Sequence, residues 1–122
     1  MKRSPFRTAA ALGLALSLGA TAALAHPRVV STSPAADAHV TAPRSIRIAF
    51  SEVVFPKMSG AVVRDSAGRA VATGPAATDP KDRKVLVVPI TGALPPGHYT
   101  VEWHVVSADT HRVTGKYAFM VM

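Results

Sequence analysis

The segment Tyr99-Thr100-Val101-Glu102-Trp103-His104-Val105-Val106 carries the clearest structural signal in this chain. Its large apolar residues fall on one side of an extended backbone and its polar residues on the other: Tyr99, Val101, Trp103 and Val105 against Thr100, Glu102 and His104. A period of two residues is typical of a β-strand that buries one face. The pattern therefore predicts a long strand at residues 99–106, with Trp103 in the core.

Six more short segments look like strands, and they lie at residues 28–32, 45–50, 61–64, 69–73, 84–90 and 116–122. The turn-forming sequence Asp65-Ser66-Ala67-Gly68 predicts a hairpin between the third and fourth of them. Most of the ten prolines fall between the segments. Residues 34–38 and 75–77 are expected to be connecting loops. The sequence thus predicts an all-β fold, a small antiparallel, immunoglobulin-like β-sandwich of about seven strands.

The first 25 residues have the layout of a secretory signal peptide. A basic start with Lys2, Arg3 and Arg7 precedes an uncharged Ala- and Leu-rich stretch, and Ala23 and Ala25 form an Ala-x-Ala cleavage pattern. The apolar stretch is shorter than the roughly 20 residues of a spanning helix. We therefore expect cleavage after Ala25, which leaves an exported, soluble domain at residues 26–122.

Composition narrows the function of that domain. Removing the leader takes away three basic and no acidic residues, so the formal charge falls from +7 to +4. The one basic cluster, at residues 81–84, contains Asp82 and no aromatic residue, which gives nucleic-acid binding little support. There is no cysteine, so disulfides and thiolate metal sites are excluded.

The available residues suggest a metal site. Cleavage after Ala25 makes His26 the first residue, whose free amine and ring Nδ1 together chelate a metal ion. Asp109 and His111 are two residues apart, so in extended backbone they point to the same side, with Cα atoms roughly 6.5 to 7 Å apart. An Asp-x-His pair is a weak signal alone. Two imidazoles, one amine and one carboxylate together suit a tetragonal Cu(II) ion.

The chain from His26 onward resembles the CopC family of periplasmic copper-binding proteins along essentially its whole length. The resemblance rests on His26, Ser31-Thr32-Ser33-Pro34, Ile48-Ala49-Phe50-Ser51-Glu52, Leu94-Pro95-Pro96-Gly97-His98-Tyr99, Val101-Glu102-Trp103, Ser107-x-Asp109-x-His111 and Gly115. It implies a small β-sandwich in the periplasm that binds one Cu(II) per chain through His26, Asp109 and His111. It also implies a copper-transporting inner-membrane protein as a partner.

Several other residues have competing interpretations. The resemblance implies that Glu52 lies near the metal or its water shell, whereas a polar residue that ends its strand is the plain alternative. His39, His98 and His104 are expected to be exposed surface residues. Some members of the family have a Met-rich loop for Cu(I), but here the corresponding region has only Met58. One thioether is not a site, so no separate Cu(I) site is expected.

The sequence is compatible with three functions. The leading hypothesis is a monomeric, non-enzymatic Cu(II)-binding protein for copper tolerance, buffering or delivery. The alternative is a histidine-brace oxidative enzyme that resembles a lytic polysaccharide monooxygenase. The chain is short for a flat polysaccharide-binding surface, and Asp109 stands where oxygen activation needs an open position. A plain adhesion domain leaves the coincidence of His26 with Asp109 and His111 unexplained.

Overall fold

The computed structural model describes residues 26–122, so the predicted signal peptide at residues 1–25 lies outside the described residues. Eight strands and one short 3-10 helix make up the fold. The strands are β1 (Val29–Ser33), β2 (His39–Val40), β3 (Ser45–Phe50), β4 (Gly60–Arg64), β5 (Ala77–Asp79), β6 (Asp82–Pro89), β7 (Gly97–Val106) and β8 (Arg112–Val121), and the 3-10 helix is Pro56–Met58. Within residues 26–122, no helix has the length and apolar content needed to cross a membrane.

The strands form two four-stranded sheets, with the orders β1-β3-β6-β5 and β2-β8-β7-β4. Every pairing within these sheets is antiparallel except that of β2 with β8, which is parallel. The predicted all-β sandwich is therefore confirmed, with one parallel edge pair and one strand more than expected. The longest ladder joins β7 to β8, from the pair Gly97 and Val121 to the pair Val106 and Arg112.

The core lies between the two sheets and follows the period of two seen in the sequence. The side chains predicted to face inward from residues 99–106 are buried, Trp103 among them. The Trp103 ring meets the Phe50 ring edge to face at 5.2 Å between centroids. Gly115 lies opposite Trp103 in the ladder, and a Cβ there would come within 2.6 Å of the indole Cε2. Glycine at position 115 therefore makes room for the indole ring.

The predicted hairpin is half right. The turn at residues 65–68 forms, because the Asp65 carboxylate accepts hydrogen bonds from the N–H groups of Ala67 and Arg69 at 3.0 and 2.8 Å. Residues 69–73, however, do not form a strand. Ala70 bridges to Arg64 in one sheet and Thr73 to Ile90 beside the other sheet, so this segment crosses between the sheets and pairs fully with neither.

Two strands were not predicted. His39, which lies outside every predicted strand, is in β2, and Ala77, expected in a connecting loop, begins β5. Both strands are only two or three residues long, too short to show an alternating pattern. Their place in a sheet is determined by the neighbouring strand, β8 or β6.

Candidate metal centre

The connection between β7 and β8, residues 107–111, is a tight turn anchored at its first residue. Ser107 is fully buried, and its N–H donates to the His111 carbonyl oxygen at 3.0 Å. The N–H of Thr110 donates to the Ser107 carbonyl at 2.8 Å, and Thr110 adopts a φ of 70°. A positive φ is uncommon for a residue with a Cβ. It folds the chain back so that Asp109 and His111 face each other.

The Asp109 carboxylate is held from several directions. The Ser107 hydroxyl donates to its Oδ1, and the N–H of His111 reaches the same oxygen at 3.2 Å. The Ser107 hydroxyl above all, followed by the His111 ring and N–H, lowers the pKa of Asp109 to about 2. Hydrogen bonds to the charged form favour that form. Asp109 therefore carries a full negative charge at any pH where a protein of this kind works.

The His111 ring has an unpaired nitrogen that faces this carboxylate. Nδ1 lies 2.9 Å from Asp109 Oδ2, but the direction of approach does not make a hydrogen bond, and Nδ1 is buried without another partner. Buried polar atoms without hydrogen bonds are rare in folded proteins, and each needs an explanation. A ring nitrogen and an anionic oxygen this close together are two donor atoms that one cation can share.

His26 lies against His111, although the two residues are far apart in sequence. Their ring centroids are 4.9 Å apart, and the ring planes are nearly perpendicular at 85°. Pro27 is buried, and the backbone of Arg28 is fixed to Ser51 by two hydrogen bonds of 2.9 Å. Because two anchors directly follow His26, its position is set by the fold even though its own side chain is exposed.

Glu52 lies in a bend that runs between the N-terminal segment and the 107–111 turn. Ser51 pairs with Arg28 on one side, while the Val53 carbonyl accepts from the N–H of Ala108 at 2.9 Å on the other. Val54 also bridges to Ser107. The Glu52 side chain is half-buried, and no ion pair within residues 26–122 involves it. The fold therefore brings the backbone of Glu52 near the cluster without joining its carboxylate to it.

Of the four candidate residues, the structure thus brings three together, namely His26, Asp109 and His111. Within residues 26–122, no group of three or more His, Asp or Glu side chains has the arrangement of a ready metal site. The sequence reasoning missed the role of Ser107, whose buried hydroxyl orients Asp109. The available signal was its spacing, since a hydroxyl two residues before an aspartate in a turn is well placed to donate to it.

Met58 is a surface residue, whereas His104 points outward but is half-buried and not exposed as expected. Met58 lies at the end of the 3-10 helix with 53% of its surface exposed. His104 lies on the outer face of β7 and covers Gly60, where a Cβ would come within 3.1 Å of the ring. The hydrogen bonds and ion pair that Asp109 and His111 make in the 107–111 turn do not include Met58 or His104.

The protein is a small β-sandwich with a cluster of two histidines and one aspartate at one end. Comparison with known proteins identifies its family. The family model described as the CopC domain matches residues 29–122. The chain therefore belongs to the CopC family, as its motifs predicted. Copper resistance proteins are members of this family, so the function of the chain is related to copper.

Individual relatives agree with the assignment. The chain is 42% identical over 109 residues to Protein YobA of Escherichia coli K12, covering 88% of each protein. It is 38% identical over 108 residues to copper resistance protein C of Escherichia coli, covering 84% of this chain and 86% of the relative. The crystal structure of PcoC, a methionine-rich copper resistance protein of Escherichia coli, superposes with a TM-score of 0.72 at 39% identity, covering 80% of this chain and all of PcoC.

Proposed function

We propose that the chain, once cleaved after Ala25, binds one Cu(II) ion through the amine and imidazole of His26 together with Asp109 and His111. The observation that carries this proposal is the buried Nδ1 of His111, which has no hydrogen bond and lies 2.9 Å from the Asp109 carboxylate, in a ring that also packs against the ring of His26. A cation that binds there removes the cost of an unsatisfied buried nitrogen.

The donor set favours copper over other divalent ions. Nitrogen donors bind Cu(II) more tightly than its first-row neighbours, and a tetragonal arrangement of nitrogen and oxygen suits Cu(II) in particular. The fourth donor is a backbone amine, which explains why side chains alone do not form a complete site. Ser107 holds the Asp109 carboxylate in place, and Glu52, in the adjacent bend, contacts the water shell of the ion.

The proposed role is copper tolerance, by buffering or delivery in the periplasm, with an inner-membrane copper transport protein as the partner. Two of the three ligand residues are exposed at the end of the sandwich, and His111 is half-buried. A metal in such a position is accessible to another protein, which suits transfer better than enclosure. We propose binding without catalysis, because Asp109 occupies a coordination position that oxygen activation needs open.

The decisive experiment changes only the terminus. Protein that starts at His26 is compared with protein that carries one extra Met before it, which turns the amine into an amide. We expect the extension to lower Cu(II) affinity by orders of magnitude, at least as much as His111→Ala, while the melting temperatures of the two metal-free forms agree. An electron paramagnetic resonance spectrum with one equivalent of Cu(II) should show fewer nitrogen donors in the extended form.

Equal affinities of the two forms would contradict the amine as a ligand and would leave Asp109 and His111 as the metal-binding groups. A control extended at the C-terminus, after Met122, should bind Cu(II) like the unmodified protein. A loss of affinity in that control would show that any extension disturbs the domain.

A further inference from the structure

Three side chains with metal-binding atoms form a row at the other end of the molecule. Met120 in β8 lies between His39 in β2 and His98 in β7, because both histidines are its direct partners in the strand register. The neighbours of this row, such as Phe119 and Val121, are buried. Since side chains alternate along a strand, all three members of the row point outward on the same face of the sheet.

The spacing of the row lets its side chains converge. Neighbouring strands lie about 4.8 Å apart, so the Cα atoms of His39 and His98 are about 10 Å apart with Met120 midway between them. Two imidazoles that lean inward at this separation meet above a central thioether. The same residues line a shallow cavity of about 160 Å³, together with Asp37, Ala118 and Phe119.

The local structure fixes the rim of this cavity and leaves its donors available. The N–H of Asp37 donates to the Ala118 carbonyl at 2.7 Å, and Asp37 adopts a φ of 61°, which holds its carboxylate beside the row. His39 and His98 are both exposed and take no part in the ion pairs within residues 26–122. A negative rim next to free imidazoles attracts a cation.

We propose that His39, His98 and Met120 form a second copper site, which binds Cu(I) through two imidazole nitrogens and the Met120 sulfur. A thioether is a soft ligand that selects Cu(I), whereas imidazole alone accepts several metals. None of these three residues belongs to the candidate metal centre at His26, Asp109 and His111. β7 runs from His98 at this end to Val106 beside the 107–111 turn, so the two sites are about 25 Å apart.

The strand register supplies a thioether that the sequence alone does not suggest as a Cu(I) ligand. From the sequence, Met58 is the one thioether to consider for Cu(I), because Met120 falls in the predicted strand at residues 116–122 and His39 is expected to be an exposed surface residue. The short strand β2 and its register with β8 place a thioether between two imidazoles. The proposal does not depend on the Cu(II) site and stands or falls separately from it.

The test measures Cu(I) affinity by competition with bathocuproine under anaerobic, reducing conditions, using protein that starts at His26. Met120→Leu removes the sulfur with little change in volume, and Met58→Leu makes the same change near the opposite end. His98→Gln removes one imidazole, and His104→Gln is its control on the same strand and face.

We expect Met120→Leu and His98→Gln each to lower Cu(I) affinity at least roughly 10- to 100-fold. Loss of a residue that only supports a metal ligand already costs that much, and these residues are proposed as ligands themselves. Met58→Leu and His104→Gln should leave it unchanged. X-ray absorption of the Cu(I) form should show sulfur beside nitrogen. Wild-type affinity in both Met120→Leu and His98→Gln, or loss of Cu(I) binding in Met58→Leu, would overturn the site.

Measuring Cu(II) affinity in the same variants separates this proposal from the proposed function. Met120→Leu should bind Cu(II) like the wild type if the two sites are independent. Loss of Cu(I) without loss of Cu(II) supports the second site. Loss of both ions in a variant with an unchanged melting temperature contradicts it, because the two ions would then share ligands.

Discussion

Ser107 supports the candidate centre through both its side chain and its backbone. Its hydroxyl is buried and donates to Asp109, and its backbone closes the turn that carries Asp109 and His111. Outer partners of this kind fix the orientation of a metal ligand and tune its charge. Ser107 therefore acts as a positioning residue for the carboxylate.

Replacing Ser107 by alanine is expected to weaken Cu(II) binding without unfolding the domain. The pKa of Asp109 should rise from about 2 toward its usual value, since the hydroxyl is the largest cause of its low pKa. Copper affinity should fall by roughly 10- to 100-fold. Titration of the Asp109 carboxyl by NMR and a copper competition assay check both effects. Ser66→Ala, in an exposed turn, is the control, and an unchanged Asp109 titration in Ser107→Ala would contradict the role.

The pH dependence of copper binding should follow the nitrogen donors and not Asp109. Asp109 has a pKa of about 2, so it stays ionised as the pH falls from 7 to 5. An α-amine normally has a pKa of about 7.7 to 8.0 and an imidazole one near 6.5, so protons compete for these donors over that range. Cu(II) affinity should therefore drop steeply from pH 7 to pH 5.

The same measurement on the Met-extended protein tests the source of this dependence. Its amide has no proton to exchange for the metal in this range, so its affinity should change less steeply with pH. Equal slopes for the two proteins would argue against the amine as a ligand.

The contribution of Asp109 to the folding stability of the metal-free protein depends on a lower pH range than copper binding does. Its lowered pKa stabilises the fold above about pH 4, and this contribution is lost as the pH falls toward 2.

At the scale of elements, the β7–β8 ladder links the core to both ends of the molecule. Trp103 and Gly115 are directly opposite in this ladder, and the indole ring occupies the space where a side chain at position 115 would lie. Because the two residues lie this close, the size of the side chain at position 103 limits the size of the side chain at position 115. The ladder also determines where the 107–111 turn begins and ends.

Gly115→Ala should destabilise the domain, because the added methyl group overlaps the Trp103 ring. Overpacking of a core costs about 1–3 kcal/mol. Urea unfolding monitored by tryptophan fluorescence measures the loss, and Thr114→Ala, at an exposed neighbouring position, is the matched control. A Gly115→Ala protein as stable as the wild type would mean that the indole moves aside without cost.

The elements also show what the sequence was able to predict. The strand at residues 99–106 was clear because one face is buried along its whole length. Residues 69–73 have strand-like composition but cross from one sheet to the other, and composition carries no information about that path. Asp109 and His111 could be paired from their spacing, although the backbone between them is a turn with Thr110 at a φ of 70° and not the extended chain that was expected. The row around Met120 required a register between distant segments.

At the scale of the whole molecule, two β-sheets without a disulfide hold the candidate sites at opposite ends. The core is continuous between the sheets and includes residues from β3, β4, β6, β7 and β8. The chain has no cysteine, so its folded state does not depend on a disulfide.

The attachment of His26 has a consequence for when the protein becomes able to bind copper. Pro27 and Arg28 fix the chain to the sandwich directly after His26, so the end of the chain would lie at the candidate centre after the predicted cleavage. Before that cleavage, an amide nitrogen stands where the proposed amine ligand would be. With the proposed ligand set and the predicted cleavage after Ala25, a precursor inside the cell would compete poorly for Cu(II), even if it folds. Signal peptidase would then act as an activating enzyme, and export would protect the intracellular copper supply from its own carrier.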